Sequence, residues 1–269
     1  MGCIMTHTRL CIVGACGKLG KSIIQESVDN FEIVGAVEAP NSNLLDKSLN
    51  DLSIIDSDIP ITSSSDLSSA ITNADVIISA TIPDSELINA PIYVQNNKKV
   101  IIGTTGFSDE QYSQLVSILD RKIPSIISSN FSIGMNFLFY LSHLVGKLSD
   151  EFEISINEKH HSQKIDSPSG TALSIAKIIS ESKGYEDLIF DRSKHGKRKK
   201  SELEVTSERL GGTPGIHEVS IAGQHEILRF EHIAFSRLAF ARGALSAATW
   251  LHHISEPRIY SLQDVISRS

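Results

Sequence analysis

The sequence predicts an α/β protein with a doubly wound parallel sheet in its first part and a second, α+β domain with a mixed or antiparallel sheet. Up to about residue 131, short β-branched runs alternate with helical patterns, which indicates parallel strands covered on both faces. Beyond that point a helix, a strand and a helix are followed by three strands in succession. With 269 residues, 41% of them hydrophobic, the chain is long enough for two such cores.

In the first part, five apolar runs predict buried strands: Leu10–Val13, Glu32–Val37, Ala74–Ala80, Lys99–Ile102 and Ile123–Ile127. A helix is expected from the turn after the first run to about Val28. The intervening segments can form the other covering helices.

In the second part, helical spacing predicts one long amphipathic helix whose apolar face is Ile133, Phe137, Leu141, Leu144, Val145 and Leu148. The alternation in Phe152–Asn157 predicts a strand with one covered face. A short helix is expected from Gly170, then the strands Leu203–Arg209, His217–Ala222 and His225–Ile233, and a helical tail over Ala239–His252 that ends near Pro257. We therefore expect a dinucleotide-binding domain from 1–131 completed by 238–269, and a substrate-binding and oligomerisation domain from 132–237.

Composition excludes several classes of function. The net charge of −7 argues against nucleic acid and anionic membranes as partners, and no apolar run has the roughly 20 residues of a membrane span. Three cysteines (Cys3, Cys11 and Cys16) frame no disulfide scaffold, so a cytoplasmic protein is expected. The basic run 194–200 is either a solvated, mobile loop or a flap over an anionic ligand.

A glycine-rich turn, Gly14-Ala15-Cys16-Gly17-Lys18-Leu19-Gly20, follows the first strand and opens the first helix. Such a turn allows a pyrophosphate to approach the amides of the helix N-terminus, as in Rossmann-type domains. Its G-x-x-G-x-x-G spacing is weak evidence alone, and a glycine-rich turn without a nucleotide is the alternative. Glu38 ends the second strand where an acid would bind an adenosine ribose, which favours NADH, whereas Lys18 could pair with the extra phosphate of NADPH. We expect NADH or NADPH to be used, with a preference for NADH.

Two further loops follow predicted strands. Gly103-Thr104-Thr105-Gly106-Phe107 follows the fourth strand and Ser128-Ser129-Asn130-Phe131 the fifth. Ligands of open parallel sheets bind beyond the carboxyl ends of the strands, so both loops are expected to border the nicotinamide pocket, although either alone could be an ordinary turn.

The segment 158–172, EKHHSQKIDSPSGTA, concentrates the chemistry. His160, His161 and Lys164 carry up to three protons in five residues. Ser169 can cap a helix whose free amides at Gly170 and Thr171 suit a carboxylate. Surface histidines are the alternative; a zinc site is disfavoured because no further metal-ligand spacing accompanies the pair, so no metal is expected.

This segment resembles the E-x-H-H-x-x-K-x-D-x-P-S-G-T-A signature of 4-hydroxy-tetrahydrodipicolinate (dihydrodipicolinate) reductases. The glycine loop, the loops at 103–107 and 129–134, and the motifs at 213–218, 232–237 and 240–244 also match, so the resemblance covers almost the whole chain. It departs from the family pattern at Ser79-Ala80-Thr81-Ile82-Pro83, where many members have D-F-T-x-P, and at Ser128-Ser129, where A-P is frequent.

The resemblance implies reduction of a small cyclic dicarboxylate in the diaminopimelate route to lysine, by a homotetramer. His160 and Lys164 would be catalytic, and His161, Gly170, Thr171 and Arg237 would bind the substrate. The dinucleotide would be held by Gly14, Ala15, Cys16, Gly17, Lys18, Leu19, Glu38, Gly103, Thr104, Thr105, Ser128, Ser129, Asn130 and Phe131. A dinucleotide-binding regulatory module and another NAD(P)-dependent amino-acid dehydrogenase are the competing hypotheses.

Overall fold

The computed structural model describes residues 7–267, which fall into two compact units. Unit 1 comprises Met1–Ile133 with Arg237–Ser269, and unit 2 comprises Gly134–Ser236. Ser132, Ile133 and Arg237, which the sequence analysis places in the second domain, thus belong to unit 1. Cys3 lies outside the described residues.

The described strands are β1 (Thr8–Val13), β2 (Phe31–Glu38), β3 (Ile61–Ser63), β4 (Val76–Ser79), β5 (Lys99–Ile102), β6 (Ser125–Ile127), β7 (Glu153–His160), β8 (Asp187–Ile189), β9 (Glu202–Arg209), β10 (Ile216–Ala222), β11 (Ile227–Ile233) and β12 (Ile259–Tyr260). The described α-helices are α1 (Lys18–Ser27), α2 (Leu67–Ala70), α3 (Pro83–Gln95), α4 (Asp109–Leu119), α5 (Ile133–Val145), α6 (Gly170–Lys183), α7 (Leu238–His252) and α8 (Leu262–Ile266).

Unit 1 is built on a parallel sheet with the strand order β12-β6-β5-β4-β1-β2-β3 over the described residues. Successive residues of a strand face opposite sides, so Leu10 and Ile12 join one core, whereas Cys11 and Val13 join the other. Helices α1 and α7 cover the first face and α3 and α4 the second. The predicted doubly wound sheet is confirmed.

Unit 2 is built on a mixed sheet with the order β11-β10-β7-β9-β8 over the part of the chain described. Strands β7, β8 and β9 pair in parallel, while β10 pairs antiparallel with β7 and β11. Ile154 and Ile156 of β7 pack with Val219 of β10 and with Ile175 of α6 in one core. The predicted α+β domain is confirmed, and its sheet is the mixed one of the two alternatives.

The face predicted for helix α5 is wrong at most of its positions. Val145 is buried as predicted, but Ile133, Phe137, Leu144 and Leu148 are exposed within the chain, and Met135 and Leu138 are buried instead. Both sides of this helix are apolar, so the periodicity alone does not decide which side the core covers. Leu148 also lies beyond the helix, which ends at Val145.

Several short elements were not expected from the sequence: β3, α2, β8, β12 and α8. Two to five residues carry too little periodicity to distinguish a strand or helix from a loop. The helix that begins at Gly170 runs for 14 residues and is therefore not short. In the basic run, Lys194, Lys197, Lys199 and Lys200 are exposed, but Arg198 donates to the carbonyl oxygens of Ile154 and Glu202 at 2.7 and 2.9 Å.

Candidate active site

The glycine loop lies between β1 and α1 of unit 1. Gly14 adopts a φ of 82°, and a Cβ there would lie 2.3 Å from the carbonyl oxygen of Ala80, so no other residue fits without moving the backbone. The amides of Gly14 and Ala15 donate to the Val37 carbonyl at 2.8 and 3.1 Å, which fixes the turn against β2. The N-terminus of α1 opens beyond it, with no acidic residue in its first turn. This arrangement suits the binding of a pyrophosphate.

A cavity of about 410 Å³ adjoins this loop. Gly14, Cys16, Glu38, Ala39 and Thr81 are among its lining residues. Glu38 is half-buried at the end of β2, and its Oε1 accepts a hydrogen bond from the Cys16 amide at 2.7 Å. Burial, followed by the nearby Glu38 carboxylate, raises the pKa of the Cys16 thiol, so the cavity borders a neutral thiol and an acid.

A second cavity in unit 1, of about 290 Å³, is lined by residues of the two loops that follow β5 and β6. Lys18, Gly103, Thr105, Phe131 and Arg237 are among them. The predicted cofactor loops therefore share a cavity, and Lys18 lines this cavity rather than the one beside Glu38. A larger cavity of about 630 Å³, near Glu26 and Arg242, contains none of the predicted site residues.

Thr104 behaves differently from its neighbour Thr105. Its side chain is buried, donates to the Glu86 Oε2 at 2.8 Å and accepts from the Thr81 amide at 2.9 Å. Thr105 is exposed. Ser128, one of the departures from the family pattern, donates to the Asn130 carbonyl at 2.8 Å, so its hydroxyl shapes its own loop.

In unit 2, the alternation of side chains along β7 explains how the segment 158–172 begins. Ile154, Ile156, Glu158 and His160 share one face of β7, which is apolar at its start and polar at its end. Strand register adds side chains from both neighbours: His217 of β10 pairs with Glu158, and Arg209 of β9 pairs with His160. A buried apolar face thereby ends in a cluster of titratable groups.

Glu158 is the centre of that cluster. Its side chain is fully buried, and the Arg209 guanidinium donates to both of its carboxylate oxygens, at 2.8 and 3.0 Å. The Ser169 amide donates to Oε1 at 3.0 Å, and Nδ1 of His160 lies 2.5 Å from Oε2. Burial by itself would raise the pKa of Glu158, but the hydrogen bonds, that from Arg209 first, hold it at about 2. Glu158 is therefore ionised at neutral pH.

His160 is oriented by this carboxylate. Because Nδ1 faces Glu158, the proton on that nitrogen is fixed and Nε2 is the nitrogen that can exchange a proton. Among the described residues Nε2 makes no hydrogen bond, and a Cβ at Gly215 would lie only 3.3 Å from it. The ring is mostly covered, with 13% of the side chain exposed. It is a positioned proton donor or acceptor.

His217 lies beside His160, with 5.2 Å between the two ring centroids. Burial, and then the charge of His160, lowers the pKa of His217 to about 4, so this ring is neutral at working pH. Its Nε2 is 3.1 Å from the Ser169 hydroxyl, which caps α6 by accepting from the Ala172 amide at 3.2 Å. His217 thus supports the start of α6 without adding charge.

The start of α6 offers amides to an anion. Ser169 is the N-cap, as the sequence predicts, and the first-turn residues Gly170 and Thr171 follow it. Apart from its chain neighbours and the backbone of its own helix, no described residue has an atom within 4 Å of where a Cβ of Gly170 would stand, so the space beside this residue is open. Nearby, the Lys164 ammonium donates to both carboxylate oxygens of Asp166, at 2.7 and 2.9 Å. That hydrogen bond lowers the pKa of Asp166, with a smaller contribution from the Gly170 amide.

The structure thus divides the predicted site residues between the two units. Unit 2 contains His160, His161, Lys164, Gly170 and Thr171, whereas unit 1 contains the predicted dinucleotide residues and also Arg237. No role was predicted from the sequence for Glu158, Arg209, His217 or Glu86. Alternation along β7 could have indicated Glu158, but Arg209 and His217 join it only through strand pairing.

Residues 7–267 contain neither a metal-binding cluster nor a membrane-spanning helix. No group of three or more histidine, cysteine or acidic side chains there could hold a metal ion. In the same described range, no helix has the length and hydrophobicity needed to span a membrane.

Comparisons with known proteins agree over both units. Residues 8–131 match the family described as "Dihydrodipicolinate reductase, N-terminus", and residues 134–266 match "Dihydrodipicolinate reductase, C-terminus". The 4-hydroxy-tetrahydrodipicolinate reductase of Saccharophagus degradans is 33% identical over 266 residues, covering 96% of this chain and 98% of the relative. That of Methanopyrus kandleri is 35% identical over 262 residues, covering 95% of each chain.

A solved structure shows the same fold. Dipicolinate-bound dihydrodipicolinate reductase from Paenisporosarcina sp. TG-14 superposes with a TM-score of 0.75 at 23% identity, covering 95% of this chain and 98% of that one. An oxidoreductase from Sinorhizobium meliloti gives 0.62 at 12% identity, covering 97% and 94%. The regulatory module and the other amino-acid dehydrogenase are not favoured, because the family match extends over both units. The chain belongs to the 4-hydroxy-tetrahydrodipicolinate reductase family, the oxidoreductases that reduce 4-hydroxy-tetrahydrodipicolinate in lysine biosynthesis.

Proposed function

We propose that the enzyme prefers NADH and that unit 1 holds it through the glycine loop, Glu38 and the loops after β5 and β6. Glu38 suits the free ribose hydroxyls of NADH, and residues 39–46 contain no lysine or arginine to pair with the extra phosphate of NADPH. Lys18, the other candidate partner for that phosphate, lines the other cavity. When bound, the reduced nicotinamide supplies the hydride.

Unit 2 is proposed to hold the cyclic dicarboxylate. The amides of Gly170 and Thr171 would bind a substrate carboxylate at the positive end of α6, and Lys164 would pair with it. Lys164 pairs with the Asp166 carboxylate in the structure, and on substrate binding it would exchange this partner for the substrate carboxylate. The relative solved with dipicolinate, a cyclic dicarboxylate, supports this class of ligand. His161 and Arg237 remain proposed substrate contacts.

His160 is proposed to transfer the proton. The substrate loses its hydroxyl as water, hydride adds to the ring, and the enamine-like product of that addition takes up a proton to give tetrahydrodipicolinate. Nε2 of His160 can supply this proton because the hydrogen bond from Nδ1 to Glu158 fixes the orientation of the ring. Lys164 is proposed as a second donor near the imine. The single observation that carries the assignment is the Glu158–His160 hydrogen bond.

Steady-state kinetics of His160→Gln test the assignment. The turnover number should fall on the order of 100-fold or more, with little change in the Michaelis constant for the dicarboxylate, because glutamine keeps polarity and reach but does not titrate. His225→Gln, in the turn between β10 and β11, is the matched control and should retain the activity of the natural enzyme. A variant His160→Gln with normal turnover would assign the proton to Lys164 or to a water molecule.

We also propose that the enzyme is a cytoplasmic homotetramer assembled through the sheet of unit 2. Strand β11 is an edge of that sheet and exposes Ile227, Leu228 and Ile233, an arrangement that favours pairing with another chain. Light scattering after gel filtration should give the mass of four chains, and a monomeric mass would refute this assembly.

A further inference from the structure

Unit 1 contains a buried acid, Glu86, whose hydrogen-bond partners belong to loops that line the two cavities of the proposed dinucleotide site. Glu86 is in the first turns of α3 and is 0% exposed, on a helix face that also buries Asn89, Ala90 and Tyr93. Burying a carboxyl group in this way costs free energy of folding unless the group is hydrogen-bonded. No role described so far uses it.

Three hydroxyl groups converge on one oxygen of this carboxyl. Ser79 at the end of β4, Thr81 in the turn after β4, and Thr104 in the loop after β5 each donate to Oε2 at 2.8 Å. The other oxygen, Oε1, is buried without a hydrogen-bond partner. Burial raises the pKa of Glu86, and the hydrogen bonds from Ser79, Thr104 and Thr81 oppose that shift. The carboxyl group therefore ties two loops to helix α3.

Both loops border the proposed dinucleotide site. Thr81 lines the cavity beside Glu38, while Gly103 and Thr105, which flank Thr104, line the other cavity. The carbonyl oxygen of Ala80, between Ser79 and Thr81, is the atom closest to a Cβ built on Gly14. A shift of this turn would therefore displace both the glycine loop and the loop after β5.

We propose that Glu86 is a positioning residue for dinucleotide binding: its carboxyl group fixes the turn at 79–82 and Thr104 in the shape that the cofactor requires. The Thr104 hydroxyl also joins the two loops directly. It donates its one hydrogen to Glu86, and its oxygen accepts a hydrogen bond from the Thr81 amide. This inference rests on the proposed function of unit 1.

We extend the proposal to the departure from the family pattern at Ser79. An aspartate, which many members of the family have at this position, would extend its carboxylate from Ser79 toward the place that Glu86 Oε2 occupies 2.8 Å from the serine hydroxyl. In this chain the carboxylate comes from α3 instead of β4. A carboxylate at either position, 79 or 86, would accept hydrogen bonds from the hydroxyls of Thr81 and Thr104.

The test measures NADH binding by calorimetry, together with the Michaelis constants for NADH and for the dicarboxylate, in Glu86→Met and Glu86→Ala, both of which remove the oxygen that accepts the three hydrogen bonds. We expect the dissociation constant and the Michaelis constant for NADH to rise about tenfold or more, while the Michaelis constant for the dicarboxylate changes less than about twofold. The double variant Ser79→Asp with Glu86→Ala should recover most of the NADH affinity. If Glu86→Ala does not fold, Thr104→Val is the variant to measure instead. It removes one of the three donors, leaves Glu86 in place and should also weaken NADH binding.

Asp75→Asn is the matched control. Asp75 precedes β4 at its other end and pairs with Arg9 at 2.7 Å, so the variant should lower stability and leave NADH binding unchanged. If Glu86→Met lowers stability in the same way and binds NADH normally, Glu86 is only structural and the inference is wrong. If the natural protein itself does not bind NADH or NADPH, the proposed function of unit 1 fails instead.

Discussion

Replacing Glu158 by Gln should damage both stability and proton transfer, because one carboxylate serves both. The substitution preserves shape but leaves the Arg209 guanidinium, whose side chain is 18% exposed, without its charged partner. Breaking a buried ion pair by removing one partner typically costs about 3 to 5 kcal/mol. The pKa of Glu158, lowered from 4.5 to about 2, gives a similar figure of roughly 3 kcal/mol. We therefore expect the free energy of unfolding to fall by about 3 kcal/mol at pH 7.

The pH dependence of this loss has a definite sign. A carboxyl group whose pKa is lowered by folding stabilises the protein above its unfolded pKa, here 4.5, and that stabilisation is lost as the pH falls through about 2. The difference in stability between the natural enzyme and Glu158→Gln should therefore be largest at neutral pH and shrink below pH 4.5.

Urea titrations can locate the effect in unit 2. The only tryptophan in the sequence, Trp250, belongs to unit 1, so its fluorescence follows unit 1, whereas far-ultraviolet circular dichroism follows both units. The loss should appear in the circular dichroism transition. The turnover number should fall about 10- to 100-fold, because His160 loses its orientation but keeps its imidazole, and this is less than the 100- to 10,000-fold that complete loss of general acid catalysis costs.

Glu208→Gln is the matched control for Glu158→Gln. Glu208 is on β9 next to Arg209, and it pairs with Lys159 at 3.2 Å on the exposed side, so its loss should cost less than about 1 kcal/mol. If Glu158→Gln behaves like Glu208→Gln in stability and retains normal turnover, the Glu158–His160–Arg209 cluster has neither of the roles derived for it.

Three other predictions follow from the same residues. Lys164→Ala should lower turnover and also raise the Michaelis constant for the dicarboxylate, since a carboxylate loses a charged partner worth about 1.5 to 3 kcal/mol; an unchanged Michaelis constant would remove Lys164 from substrate binding. The specificity constant for NADH should equal or exceed that for NADPH, and a preference for NADPH of more than about tenfold would contradict the role of Glu38. His217, with a pKa lowered from 6.5 to about 4, stabilises the fold fully above pH 6.5 and progressively less toward pH 4. His217→Asn should therefore flatten the stability profile in that window, by at most about 3 kcal/mol, and an unchanged profile would show that His217 is not buried as a neutral ring.

The residues whose role is set locally could be identified from the sequence. The glycine loop is recognisable because a turn with a φ of 82° at Gly14 and close backbone approach leaves few alternatives to glycine. Ser169 is recognisable as a cap because capping involves only the residues that follow it. Parallel strands buried on both faces appear as continuous apolar runs, so the doubly wound sheet could also be predicted.

The tertiary structure decided what depends on partners distant in the sequence. Both sides of α5 are apolar, and only packing in the core of unit 2 buries Met135 and Leu138 while Phe137 and Leu144 stay exposed. Arg209 is 51 residues from Glu158, and strand pairing between β7 and β9 brings it to the carboxylate. Glu86 looks like an ordinary acid in the first turn of a helix, where acids are favoured on the surface. Its burial beneath three hydroxyl groups results from the packing of α3 on the sheet, because a hydrogen bond between distant residues forms only where the fold has already brought donor and acceptor within about 3 Å.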